Sequence, residues 1–413
     1  MLYRKVPKTG DELSILGYGC MRFPQKKGKI DEEPAKEILV NAIKSGINYL
    51  DTAWGYHNGQ SEEFVGKVLE EENLRDKVKI ATKLPHWLAS SREDMDGYLD
   101  MQLKKLRTDH IDYYLIHDLT RGGWEKIKSL GFADFLDKAK EDGRVIYAGF
   151  SFHDDTETFK EIVDGYDWGF CQIQYNIIDT ANQAGTEGLE YAASRDLAIM
   201  IMEPLRGGSL ARSQPPEVQE IWDESEIKRT PAEWALRWLW NRPEITVVLS
   251  GMTEKEDLEE NLRIAEDGLP GSLTEKETEL AERAGEKYKE IMKVGCTGCG
   301  YCMPCPFGVN IPACFELYNS YHMFDDKQHE KFMYISRLGG LLNEKSAASL
   351  CRNCGRCVKA CPQHINIPAE LKNVKNEMEG PAMKIIVPVS KIYVPIRKRL
   401  DLLRKGENGR TKF

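Results

Sequence analysis

Four cysteines fall within ten residues in the stretch CTGCGYCMPCPFGVNIPA, Cys296 to Ala313, of a chain that otherwise uses cysteine sparingly. Thiolates at three-residue intervals can converge on a metal centre. Nine of the eleven cysteines lie between Cys296 and Cys361, so a disulfide framework spread over the whole chain is not the pattern. Cys296, Cys299 and Cys302 are repeated by Cys351, Cys354 and Cys357 at a constant offset of 55 residues. The tails repeat as well, CPFGVNIPA after the first unit and CPQHINIPA after the second.

The second unit reads C-x2-C-x2-C-x3-C-P through Cys361 and Pro362, the spacing of bacterial ferredoxins, in which three cysteines hold one cluster and the fourth holds the other. The first unit is one residue shorter before Cys305 and Pro306. Zinc is the alternative for paired C-x-x-C, but it has no use for a third cysteine at the same interval or for the proline that follows. Two 4Fe-4S clusters are therefore expected. By the crossed rule, Cys296, Cys299, Cys302 and Cys361 serve one, and Cys351, Cys354, Cys357 and Cys305 serve the other. Cys314 is left over. The segment between the units is rich in helix formers without a hairpin signal, and it resembles the connection in helical two-cluster ferredoxin domains.

A second group of residues could move protons. Tyr56 lies five residues beyond Asp51 in LDTAWGYHNGQSEEFVG, with Lys83 and His117 further on. A buried ammonium beside a tyrosine stabilises the phenolate and is expected to lower its pKa from about 10, making the hydroxyl a proton donor at neutral pH. Asp51 would keep Lys83 charged and positioned, and His117 could orient a carbonyl oxygen by hydrogen bonding. Each residue alone has a plainer reading: a surface tyrosine, a lysine paired with a distant acid, a core histidine. They matter only if the fold brings them together.

The elements that would do so are eight short β-branched or aromatic runs, ILGYG, INYLD, VKIATK, IDYYLIH, VIYAGF, FCQIQYN, AIMIME and ITVVLS, beginning near 15, 47, 78, 111, 145, 170, 198 and 245. Intervals of roughly thirty residues filled by amphipathic helical sequence suit βα units closing into an α/β fold, a (β/α)8 TIM barrel. Such a barrel carries its chemistry at the C-terminal ends of its strands, where Asp51, Lys83, His117, Ser151, Gln174, Glu203 and Ser250 fall.

The motifs LDTAWGY, ATKLP, YLIH and SGMTEKEDLEENL resemble the aldo-keto reductase family from about Tyr3 to about Leu262, and the whole chain resembles the branch with a ferredoxin-like C-terminal extension. The resemblance implies a catalytic tetrad of Asp51, Tyr56, Lys83 and His117, with Tyr56 as the acid, and a nicotinamide cofactor, NAD or NADP, extended over the barrel mouth. It implies Ser151 and Gln174 on the carboxamide, with Gly251, Met252, Asp257, Glu260 and Asn261 as the cofactor-binding residues of the closing motif. Four positions depart from the family pattern. Phe152 stands for an asparagine, Met202 for the aromatic residue that stacks on nicotinamide, and Gly251 and Asp257 for basic residues facing a 2'-phosphate. A carboxylate repels that phosphate, and Lys255 or Arg206 could compensate. Cys20, at the end of the first strand, could touch substrate or simply pack as a small apolar side chain.

Residues 1–285 are thus expected as the barrel, 286–378 as the mainly helical ferredoxin-like domain and 379–413 as a basic tail. From Ala382 to Phe413 nine Lys or Arg face Asp401 and Glu407, giving about +7, which could steer an acidic redox partner protein. The net charge of −9 over 413 residues argues against nucleic acid. No stretch is long and apolar enough for a membrane span, and a cytoplasmic location is expected. Nicotinamide moves two electrons as hydride and each cluster one, so direct exchange needs a converter such as a flavin. Two readings compete. One is an enzyme that interconverts a small carbonyl and its alcohol; the other is an electron-transfer protein whose barrel is a docking scaffold without nicotinamide. In a third, the clusters only staple the C-terminal domain.

Overall fold

The computed structural model describes residues 1–211, 214–323, 327–340 and 344–380. The basic segment expected beyond Ala382 lies outside the described residues. The chain divides into two compact units, Met1–Glu286 and a second beginning at Lys287.

In the first unit, eight parallel strands close into a barrel in chain order: β1 (Leu16–Gly19), β2 (Tyr49–Asp51), β3 (Lys79–Leu84), β4 (Ile111–Leu119), β5 (Val145–Phe152), β6 (Phe170–Gln174), β7 (Ala198–Met202) and β8 (Ile245–Ser250). β8 pairs with β1 to complete the ring, Leu249 opposite Gly17. Near-continuous apolar runs suit strands covered on both faces. Seven of the eight begin within a residue of the sequence expectation and β2 within two, because the β-branched runs are bounded by turn residues.

Side chains alternate along each strand, and the inward set fills the barrel with Tyr49, Ala81, Tyr113, Leu115, Phe170, Ala198, Met200, Val247 and Leu249. An antiparallel hairpin, Tyr3–Lys5 with Glu12–Ser14, was not foreseen in the sequence. Its Val6 and Leu13 are fully buried in that same interior cluster, so the hairpin closes the N-terminal end of the barrel. Water is thereby excluded beneath the site, and only the opposite end is left for chemistry.

The second unit is mainly helical, with helices at Ile311–Met323, Lys327–Leu338 and Ile367–Met378 around a core that includes Phe315, Leu317, Tyr334, Leu371 and Val374. Its internal repeat is structural as well as sequential. Gly298 and Asn353 both adopt left-handed backbone, φ 70° and 54°, as do Gly300 and Gly355 at 82° and 74°. Each unit then opens a helix in the same manner, with the side chain of Asn310 accepting from the Ala313 amide and that of Asn366 from the Ala369 amide.

Candidate functional site

The alternation that packs the barrel also builds the mouth. Asp51, Lys83 and His117 each lie two residues beyond an interior core residue (Tyr49, Ala81 and Leu115), so the last inward position of each strand is polar. Lys83 is fully buried and its Nζ donates to both oxygens of Asp51, at 2.7 and 2.6 Å, and to the Thr52 carbonyl at 2.8 Å. Burial raises the Asp51 carboxyl above its usual range, and the Lys83 ammonium opposes that rise. Such a pair persists only because its charges satisfy each other in the absence of water.

Tyr56 stands at the head of the short turn Tyr56–Gly59, where His57 and Asn58 take left-handed backbone at φ 52° and 55°. That tight turn folds the phenol back over the mouth. Its ring centre lies 5.1 Å from Lys83 Nζ and 6.2 Å from the His117 ring, edge to face. Trp87 packs 5.2 Å from His117 and supplies an aromatic wall. The four residues expected to act together are together.

One expectation is corrected. The lysine does not lower the Tyr56 phenol; burial, then Asp51, Cys20, Glu203 and Asp118, hold it well above its ordinary value. The physical reason is that the Lys83 charge is already neutralised by Asp51, leaving desolvation to decide. His117 is pushed well below its usual range by burial, the Lys83 charge, His153 and His86, so it is a neutral imidazole at pH 7.

The expected cofactor residues are distributed around the rim. Ser151 Oγ accepts the Asp118 amide at 2.8 Å. Gln174 is spanned by protein partners, donating to Asp179 at 2.9 Å and accepting from Gln183 at 3.0 Å. Arg206, weighed as a compensating cation for a 2'-phosphate, is instead buried with Nε 2.7 Å from Asp179. Lys255 is exposed and pairs with Glu259 at 3.5 Å. Asp257 caps its own helix, accepting the Thr253 and Glu254 amides. Asn261 donates to Ser250 Oγ at 3.0 Å, Met252 is buried with its carbonyl accepting from Tyr18, Gly251 packs beside Arg22, and Glu260 is half-buried. Cys20 is fully buried and its thiol is raised by burial, the packed small side chain of the plainer reading.

Sequence reasoning missed Asp118, whose carboxyl burial pushes up to about 7, and His153, buried 4.0 Å from it. Asp118 lies at the end of β4 and His153 just past β5, and the only signal was a polar residue following each of the runs IDYYLIH and VIYAGFSF. It also missed Asp179 and Gln183, which come from one loop and meet Gln174 only in three dimensions.

The second unit brings its thiols together. Cys296, Cys299, Cys302 and Cys361 line one cavity together with Ile311 and Phe315. Cys357 lies within electrostatic reach of Cys351, Cys354 and Cys305. The Gly298 amide donates to Cys296 Sγ and the Asn353 amide to Cys351 Sγ, each at 3.4 Å, an arrangement suited to thiolate ligands. Thiols that surround an apolar cavity, rather than converge on one ion-sized point, fit an iron–sulfur cluster. Cys314 stays apart as a core residue beside Tyr334.

A closed parallel barrel with an Asp–Lys pair under a tyrosine and a histidine, followed by two interleaved cysteine quartets, defines a barrel oxidoreductase carrying an iron–sulfur domain. The Aldo/keto reductase family matches residues 15–272, and the chain belongs to that family. A 4Fe-4S dicluster domain matches residues 295–366. The chain is 26% identical over 294 residues to the uncharacterized oxidoreductase YqkF of Bacillus subtilis, covering 64% of this chain and 91% of that protein. It is 22% identical over 311 residues to the NADH-specific methylglyoxal reductase of Escherichia coli, covering 63% and 92%. A thermostable aldo-keto reductase solved with the inhibitor epalrestat superposes with a TM-score of 0.57 at 26% identity, covering 69% of this chain and 100% of that one. None of the described helices is long and apolar enough to cross a membrane.

Proposed function

We propose that the protein interconverts a small carbonyl compound and its alcohol at the barrel mouth with a nicotinamide cofactor, and exchanges single electrons with a partner through two 4Fe-4S clusters. The observation that carries this reading is the Lys83–Asp51 pair, 2.6 Å apart beneath Tyr56 and beside His117. Nicotinamide, when bound, supplies or accepts hydride. Tyr56 gives its proton to the developing alkoxide, or takes it back in oxidation. Lys83, held by Asp51, fixes the floor beneath the Tyr56 ring, and neutral His117 holds the carbonyl oxygen by a hydrogen bond. Trp87 and the buried floor limit water at the reacting carbon. Exchange between hydride and the clusters would need a two-to-one converter such as a flavin.

Tyr56→Phe tests the chemistry: turnover with NADH or NADPH should vanish while the cluster absorbance is unchanged, and retained turnover removes Tyr56 from the role. One observation favours the scaffold reading, the spanning of Gln174 by Asp179 and Gln183 with Arg206 locked behind them. Anaerobic titration separates the two readings. Saturable binding with bleaching of the cluster band supports the enzyme, whereas bleaching by dithionite alone supports the scaffold.

A further inference from the structure

The two cysteine loops share a backbone but not a surface. Residues 295–310, around the first three cysteines and Cys305, contain no charged side chain, whereas residues 351–366 carry Arg352, Arg356 and Lys359 and no acid. All three cations are exposed, and none takes part in an ion pair among the described residues. The same loop holds Cys354, the one exposed cysteine of the eleven. Beside these lie apolar groups in water: Val358 in the second loop, and Met303 and Phe307 flanking Cys305, which joins the second loop's thiol set. Exposed cations on a protein of net charge −9 are not accounted for by overall balance.

This combination has the makings of an encounter surface for electron transfer. Such complexes are small, below about 1,200 Å² of buried area, and rely on charge to orient the partner and on a few apolar contacts at the point of exchange. An exposed ligand loop brings the edge of its cluster close to solvent, shortening the path for an electron. The uncharged first loop offers neither steering nor an exposed cysteine.

We propose that Arg352, Arg356 and Lys359, together with the exposed Val358 and Phe307, form the docking surface for a small acidic one-electron carrier protein, and that electrons pass through the cluster held by Cys351, Cys354, Cys357 and Cys305. This rests on the reading of the cysteine quartets as cluster ligands, not on the barrel chemistry. Each encounter moves one electron, the carrier gaining what the reduced cluster loses, or the reverse. Two encounters match one two-electron conversion.

The probe is an acidic plant-type ferredoxin, with its affinity for the full-length, iron-loaded protein measured by calorimetry over a range of salt concentrations. Binding should weaken as salt rises, and R352E/R356E/K359E should lower affinity at least about tenfold at low salt and flatten the salt dependence. Reduction by methyl viologen, a small mediator that needs no docking, should be unchanged in the variant. Should charge reversal disturb iron content, R352Q/R356Q/K359Q carries the test with a smaller loss in the same direction. Wild-type protein that does not bind the probe, or variants that keep both affinity and salt dependence, overturn the proposal. Turnover with NADH or NADPH is scored separately: its absence in the presence of charge-dependent docking removes the barrel reading and leaves this surface standing.

Discussion

Lys83 Nζ lies between both carboxylate oxygens of Asp51, at 2.7 and 2.6 Å, and 5.1 Å from the centre of the Tyr56 ring. With Lys83 fully buried and Asp51 nearly so, neither charge is tolerable without the other. Lys83→Met should therefore destabilise the barrel by about 3–5 kcal/mol, since it strands a buried carboxylate. Adding Asp51→Asn should return part of that loss. Chemical denaturation of the single and double variants checks this, and a double variant no more stable than Lys83→Met would contradict the pairing.

The neutral state of His117 has a kinetic consequence. Because burial and the Lys83 charge hold its imidazole well below the usual range, no break near pH 6.5 in the turnover profile should belong to it. His117→Phe should lower kcat about 10²- to 10³-fold, the scale for one lost donor to a developing oxyanion, without changing the profile's shape. A break near pH 6.5 that disappears in His117→Phe would show a charged histidine instead.

Asp118 gives a pH signature in stability. Its carboxyl is raised by burial from 3.8 to about 7, so the folded protein holds that proton more tightly than the unfolded chain does. The resulting stabilisation is complete below about pH 4 and is lost as pH rises to about 7, after which it stays flat. Asp118→Asn lacks this slope. The difference in unfolding free energy between wild type and variant should therefore move in the variant's favour between pH 4 and 7, and a constant difference across that window would refute the raised carboxyl.

Removing iron should affect the two units unequally. The second unit's core is small, and its cysteines are partly buried against that core, so ligand loss removes both cross-links and packing. After chelation under reducing conditions, amide exchange should accelerate in Ile311–Met323 and Ile367–Met378 while β3, β4 and β5 keep their protection. Equal loss in the barrel strands would show that the first unit depends on the metal too.

The barrel was legible because each strand is a compact apolar run between turn residues, and the mouth because polar residues end those runs at the same inward phase. The iron–sulfur domain was legible from cysteine spacing, and a 4Fe-4S dicluster domain matches that stretch. The hairpin Tyr3–Lys5 with Glu12–Ser14 was not, since three-residue strands carry too little pattern. Nor was the direction of the Tyr56 shift, which turns on the balance between desolvation and a lysine whose charge Asp51 has already answered. The Gln174, Asp179, Gln183 and Arg206 network escaped for a different reason: its members are linked by loop closure, and no sequence period connects them.

The crossed quartets also constrain how the protein is made. Cys296, Cys299 and Cys302 emerge from the ribosome early but wait for Cys361, while Cys305 waits for the trio that ends at Cys357. Neither set of four thiols is complete before Cys357, and the second of them only at Cys361. A chain truncated anywhere between Cys357 and Cys361 would thus own seven of the eight thiols and one finished quartet, so the crossing sets the order in which the two quartets become complete.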